Sequence, residues 1–166
     1  MDQALPSLVS VADRQHSQTL TEMRQYGFRL FPVPDGRPPY VYTIGLSLYY
    51  QHPELVVSAP VAVGLPMLRQ AVWALQRGVR LAPGPLYRLW RADTTPIQFA
   101  PVRAGLTRAL SLACVVLHTR YFAALQLLYT DAAGRWPWDP TCDPAISQAQ
   151  RRWCAVPRPP HLDEYL

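Results

Sequence analysis

The chain contains no lysine and no asparagine, and all 16 of its basic residues are arginine. Both missing residues use AT-rich codons, so their absence fits a GC-rich genome better than a functional demand. Acids are also scarce: 11 carboxylates against 16 guanidiniums leave a net charge of +5, and any catalytic carboxylate pair must come from that small set. A guanidinium grips phosphate bidentately, but the arginines are scattered from Arg14 to Arg158 and only Arg151 and Arg152 are adjacent. Nucleic-acid binders more often gather them into a stripe with interleaved aromatics, so nucleic acid is not the favoured partner. Three cysteines, Cys114, Cys142 and Cys154, form an odd set that argues against a disulfide framework. Cys142 and Cys154 lack the paired C-x2-C spacing of a zinc site, so no metal is expected. Cys114, inside the run Leu110 to Leu117, reads as a small buried hydrophobe.

No apolar run reaches the ~18 residues that cross a bilayer. The start, Met1-Asp-Gln-Ala-Leu-Pro6, has neither a basic n-region nor an apolar h-region, so the expectation is a cytoplasmic protein without a membrane partner. There is no G-x-G-x-x-G, no Walker A loop and no G-x-S-x-G elbow. Gly36, Gly45, Gly64, Gly78 and Gly84 are isolated, and His16, His52, His118 and His161 never form H-x3-H. No cofactor is expected.

What is present is a folded chain of 166 residues, 49% hydrophobic, long enough to bury roughly two thirds of its unfolded surface as one domain. Residues 7–26 read as a mostly polar helix ended by Gly27. Phe28–Val33 and Tyr40–Leu46 read as a hairpin around Asp35-Gly36. Ser47–Pro53 reads as a loop and Glu54–Ala59 as a strand. Residues 65–77 carry the clearest helical spacing, with Pro66 in its first turn and Gly78 ending it. Leu86–Trp90 and Ile97–Val102 read as strands around Asp93-Thr-Thr-Pro96. Residues 105–122 fit a helix better than a strand, and Ala124–Tyr129 reads as a buried strand. The expected fold is α+β: a largely antiparallel mixed sheet with two or three packed helices in a single domain over residues 1–140. Residues 141–166 read as a proline-rich arm with Trp153 as an anchor.

Two segments concentrate polar residues where strands end: Tyr42-Thr-Ile-Gly-Leu46 with His52-Pro-Glu-Leu55, and Leu125 to Asp139. Gly45 removes a side chain beside Thr43, which eases a bulge or admits a ligand or backbone. His52 is the best-placed general base, since its ordinary pKa lies near neutrality, and Glu54 is the group that could orient it. The bland alternative is a turn histidine and a solvated glutamate. Gln126, in an apolar strand, must be hydrogen-bonded to backbone or ligand. Asp131 with Gly134 is first of all a turn. Trp136 and Trp138 flank a proline and either lid a core or form a stacking platform. His118-Thr-Arg-Tyr121 is one further polar concentration, at a helix end where a cationic histidine is favourable for stability alone.

In these segments the chain resembles a bacterial family catalogued only as a domain of unknown function. Its pattern is Tyr-Thr-Val/Ile-Gly-Leu, then His-Pro-Glu-Leu, a helix, Gly-x4-Pro-Gly, and Leu-Gln-x4-Asp-x2-Gly-x2-Pro-Trp. These correspond to Tyr42–Leu46, His52–Leu55, Gly78–Gly84 and Leu125–Trp138, covering about residues 27–140. The chain departs at Thr130, where the pattern has proline. The resemblance implies a shared fold and a shared set of polar residues, Tyr42, Thr43, His52, Glu54, Gln126 and Asp131, and imports no reaction.

Two functional readings follow. The first is a non-catalytic bacterial interaction protein, an accessory subunit or an immunity-type protein neutralising a toxin, with another protein as partner. Arg and Trp in the arm suit an interface, although an inhibitor of a nucleic-acid-cutting toxin would more naturally be acidic. The second is an enzyme or sensor of small molecules, with His52 as base, Tyr42 and Gln126 orienting the ligand, and Trp136 or Trp138 as pocket wall. It requires His52, Glu54, Gln126 and Asp131 to converge on one concavity.

Overall fold

Glu54–Ser58 and Ala124–Tyr129 are buried along their whole lengths, which is why both read as nearly continuous apolar runs instead of alternating ones. They are β3 and β6, the two central strands, and they pair in parallel, with Glu54 opposite Ala124 and Val56 opposite Gln126. The structure is a computed structural model that describes residues 11–89 and 95–154. Its sheet has six strands in the order β1-β2-β3-β6-β5-β4. On one side of the parallel pair lie β1 (Arg29–Val33) and β2 (Tyr40–Ile44); on the other lie β5 (Ile97–Pro101) and β4 (Leu86–Tyr87). Each side is an antiparallel meander, so the sheet is two meanders joined edge to edge by β3 and β6.

Helix α3 (Val61–Gln76) covers one face. Its Leu68, Ala71 and Val72 pack with Val41, Leu55, Val57, Phe99 and Leu127. Gly64 permits the close approach: a Cβ there would lie 3.1 Å from the side chains of both Val41 and Val57. The helix begins four residues before the expected start, so Pro66 sits in its interior on the exposed side. The opposite face carries Tyr40, Tyr42, Ile44 and Val56, covered by Met23 of α1 (Val11–Tyr26) and Ala113 and Val116 of α4 (Ser111–Val116). Arg29 ties α1 to β1 by donating to Thr19 Oγ1 at 2.7 Å and to the Gln15 carbonyl at 3.1 Å.

The expectation of two or three helices is corrected. Among the described residues there are five α-helices and one 3-10 helix, on an α+β framework with a mixed sheet. The additional ones are short. Helix α2 (Leu46–Tyr49) occupies the expected loop, and α5 (Pro144–Gln150) occupies the expected arm. Neither α2 nor α5 exceeds seven residues, so neither repeats the 3.6-residue period often enough to be read from hydrophobic spacing. The local signal for α5 was present: Asp143 accepts from Ala145 N at 2.8 Å, with Pro144 opening the helix. The expected helix over 105–122 is instead a 3-10 helix, Leu106–Ala109, followed by α4. They break at Leu110, whose ψ of 62° is not helical and which turns fully into the core.

Of the expected arm, residues 141–154 are described, and Trp153 is completely buried. Its ring meets Tyr40 edge-on at 5.0 Å, and its Nε1 donates to Ser58 Oγ at 2.7 Å. The expected helical residues 7–10, the loop at 90–94, and arm residues 155–166, including Arg158 and His161, lie outside the described residues. Among the described residues no helix is long and apolar enough to cross a membrane. Trp153→Ala removes a buried indole and strands a hydroxyl, and should lower unfolding free energy by about 3–5 kcal/mol in chemical denaturation. An unchanged denaturation midpoint would mean that this segment lies outside the cooperative core.

Candidate functional site

Where β2 ends, Gly45 adopts φ 115° and the chain turns at once into α2. Only glycine fits, because a Cβ would stand 2.8 Å from the Gly27 carbonyl oxygen. The close approach at Gly45 is therefore made by the chain's own backbone. The turn aims the N–H groups of Gly45, Leu46 and Ser47 at the carboxylate of Glu54, on the neighbouring strand. Oε1 accepts from Gly45 N at 3.1 Å, Ser47 N at 3.0 Å and Ser47 Oγ at 2.8 Å. Oε2 accepts from Thr43 Oγ1 at 2.7 Å and Leu46 N at 3.3 Å. Thr43 Oγ1 accepts in turn from Leu55 N at 2.8 Å. Glu54 is fully buried, and no described arginine pairs with it. Among the described residues neutral donors alone hold the carboxylate, and a bond to an ionised acceptor is stronger than one between neutral groups.

His52 sits nearby, also buried, and both of its ring nitrogens face backbone carbonyls. Nδ1 is 2.7 Å from the Pro53 oxygen and Nε2 is 2.9 Å from the Leu81 oxygen. Both nitrogens are turned to groups of the chain itself, and neither faces an open surface. The ring clamps the start of β3 to the connection after α3.

Gln126 donates from Nε2 to the Gln150 carbonyl at 2.6 Å. The Gln150 side chain then completes the β6 backbone, accepting from Tyr129 N and donating to the Tyr129 oxygen, each at 2.9 Å. These amides fasten α5 over the centre of the sheet. Tyr42 is buried between Phe31 and Tyr40, and among the described residues its hydroxyl and Gln126 Oε1 have no hydrogen-bond partner. Burial raises the Tyr42 phenol above its ordinary pKa, and the nearby backbone of Leu112 and Ala113, outside hydrogen-bonding geometry, offsets this only in part.

Asp131 follows β6 and organises the turn beyond it. Oδ1 accepts from Ala133 N and Arg135 N, both at 2.9 Å. Oδ2 accepts from Arg135 Nε at 2.8 Å and Asp143 N at 3.0 Å. Burial alone would raise its pKa, but the hydrogen bonds from Arg135, Asp143 and Ala133 outweigh that and bring it down to about 2. Trp136 and Trp138 stack with ring centroids 4.9 Å apart and planes 4° from parallel. They pack on Ala100, Leu128 and Cys154 as a lid over a third part of the core.

The nine sequence candidates thus divide among separate places. Thr43, His52 and Glu54 lie at the entry of β3; Tyr42, Gln126 and Trp153 lie under the helices; Asp131, Trp136 and Trp138 lie beyond the exit of β6. Asp131 is seven residues past Ala124, which pairs with Glu54, a span on the order of 20 Å at strand rise. His52, Glu54, Gln126 and Asp131 do not share a concavity. Among the described residues no group of three or more His, Cys, Asp or Glu side chains is placed to hold a metal.

An open cavity lies elsewhere among the described residues. It has a volume of about 740 Å³ and is lined by Arg108, Ser111, Cys114, Val115, His118, Thr119, Arg120 and Tyr121. Sequence reasoning reached its His118–Tyr121 side as a polar concentration and missed Arg108 and Ser111. Cys114 lies in the wall; burial raises its thiol pKa, and nearby Arg120 offsets this only in part. The thiol is therefore not an activated nucleophile.

Residues 22–143 match the family described as Domain of unknown function (DUF4262), and the chain belongs to it. No curated protein and no solved structure matches the chain.

Asp131 gives a signed pH dependence. Its native pKa of about 2 lies below the ordinary 3.8, so its contribution to stability is complete above the ordinary value. It is lost as pH falls through the window down to about 2. Denaturation curves between pH 5 and pH 2 should show a shallower loss for Asp131→Asn than for the wild type. Parallel losses would show that the carboxylate is not held as described.

Proposed function

We propose that this member of the DUF4262 family is a non-catalytic binding protein of the bacterial cytoplasm, an accessory subunit or an immunity-type protein, and that its partner is another protein. The observation that carries this reading is saturation. Glu54 accepts five hydrogen bonds and Asp131 four, and both nitrogens of His52 meet backbone oxygens. A general base needs a lone pair within reach of a substrate proton, and in all three the candidate atoms are turned to groups of the chain itself. Three free cysteines suit a reducing compartment.

A protein partner is supported by exposed aromatics on one side of the molecule. Tyr26, Tyr49 and Trp73 are each more than half exposed. Tyr50 connects their positions, donating to the Tyr26 carbonyl at 3.1 Å and accepting from Gln76, one turn from Trp73, at 3.0 Å. Large aromatics left in solvent are the commonest anchors of interfaces, and a chain of charge +5 complements an acidic surface.

Affinity purification of the tagged chain from its native host tests the reading. The expected result is a stoichiometric acidic protein whose affinity falls at least about tenfold with Trp73→Ala. Recovery of no partner, together with a substrate turnover abolished by a folded His52→Gln variant, would contradict it.

A further inference from the structure

The cavity bounded by the 3-10 helix, α4 and the turn after it is the least explained feature of the molecule. Two guanidiniums, Arg108 and Arg120, and the imidazole of His118 border it. No carboxylate lines it, and among the described residues neither arginine has an ion-pair partner. The arginines stand 12 positions apart in sequence, and the fold fixes their separation. Thr107, beside Arg108, is buried and donates from Oγ1 to the carbonyl of Arg120 at 2.8 Å.

The turn that presents His118 is a second, independent observation. Thr119 N donates to the Cys114 carbonyl at 3.2 Å and His118 N to the Val115 carbonyl at 3.3 Å. This is the Schellman closure of a helix, and its left-handed position is normally glycine. Here it is His118, at φ 53°. Histidine tolerates this conformation better than most side chains, and the turn carries its imidazole to the border of the cavity. The next residues are fixed as well, since Thr119 Oγ1 accepts from Tyr121 N at 3.0 Å. Tyr121 is 87% exposed and Val115 54%, so an uncovered aromatic ring and an apolar edge lie beside the cationic groups.

We propose that this groove binds a small phosphate-bearing ligand with a planar ring, of the nucleotide type, with Arg108, Arg120 and His118 on the phosphate and Tyr121 under the ring. Guanidiniums match phosphate oxygens two at a time, and an exposed tyrosine offers a stacking face. The volume is within the range of small-molecule sites. The inference uses none of the residues on which the protein-partner reading rests.

Isothermal titration calorimetry of the full chain with ADP and with inorganic phosphate tests it. Saturable ADP binding is expected, weakened at least tenfold by Arg108→Gln and by Arg120→Gln and unchanged by Arg77→Gln, an exposed arginine elsewhere. Tyr121→Ala should weaken ADP but not inorganic phosphate. His118→Gly separates function from fold: glycine suits the left-handed position, so the variant should unfold no earlier than the wild type yet bind less tightly. Absence of saturable binding by either probe up to about 1 mM, or binding indifferent to both arginine substitutions, would overturn the proposal. So would loss of an acidic protein partner on Arg108→Gln when neither probe binds. Turnover of ADP would keep the groove and overturn the non-catalytic reading.

Discussion

The buried Glu54 carboxylate meets five donors and, among the described residues, no cation, and the local chain is arranged around that fact. An ionised carboxylate is expensive to bury unless its oxygens are filled by donors. Here the donors come from one short stretch of backbone and two hydroxyls, Thr43 and Ser47. Gly45 has to be glycine for the three amides to converge, and α2 has to start immediately after it. The segments Tyr-Thr-Ile-Gly-Leu-Ser and His-Pro-Glu-Leu are therefore two halves of one structural unit. That unit fixes how β2 hands over to β3, and β3 is the strand on which the second meander is built.

The other polar motif residues behave alike. Gln126 and Gln150 bond α5 to the backbone of β6, and Asp131 gathers the turn beyond it. Trp153 seals the face that α1 and α4 leave open. A chain with 18 prolines has many backbone positions without a donor, and here side-chain amides and carboxylates bind the irregular segments together. On the reading proposed above, function falls to the surface: exposed aromatics beside Tyr50 and the cationic groove beside α4.

Much of the sheet was legible in the sequence. The hairpin showed in Asp35-Gly36 between two alternating runs, and the central strands showed as short apolar runs. The helices α2 and α5 were not read from spacing, because fewer than two turns leave no period to detect, whereas α4 lies within the helix expected over 105–122. The site was legible only as a set of residues. A polar side chain buried to hold backbone and one placed to hold a ligand impose the same requirement on sequence, so Glu54 and Gln126 stood out without revealing which they were. The groove was half visible, at His118–Tyr121. Its other half, Arg108 and Ser111, arrives through the break at Leu110, which the apolar spacing of residues 105–122 does not announce.

Glu54→Gln, followed by chemical denaturation and partner binding on the same preparation, tests the structural account most directly. The amide keeps the shape but loses the charge and turns an N–H2 toward groups that are themselves donors. The account predicts a loss of at least about 2 kcal/mol in unfolding free energy, with the remaining folded fraction still able to bind. A variant as stable as the wild type but functionally dead would contradict it, and would return Glu54 to the chemistry of a site.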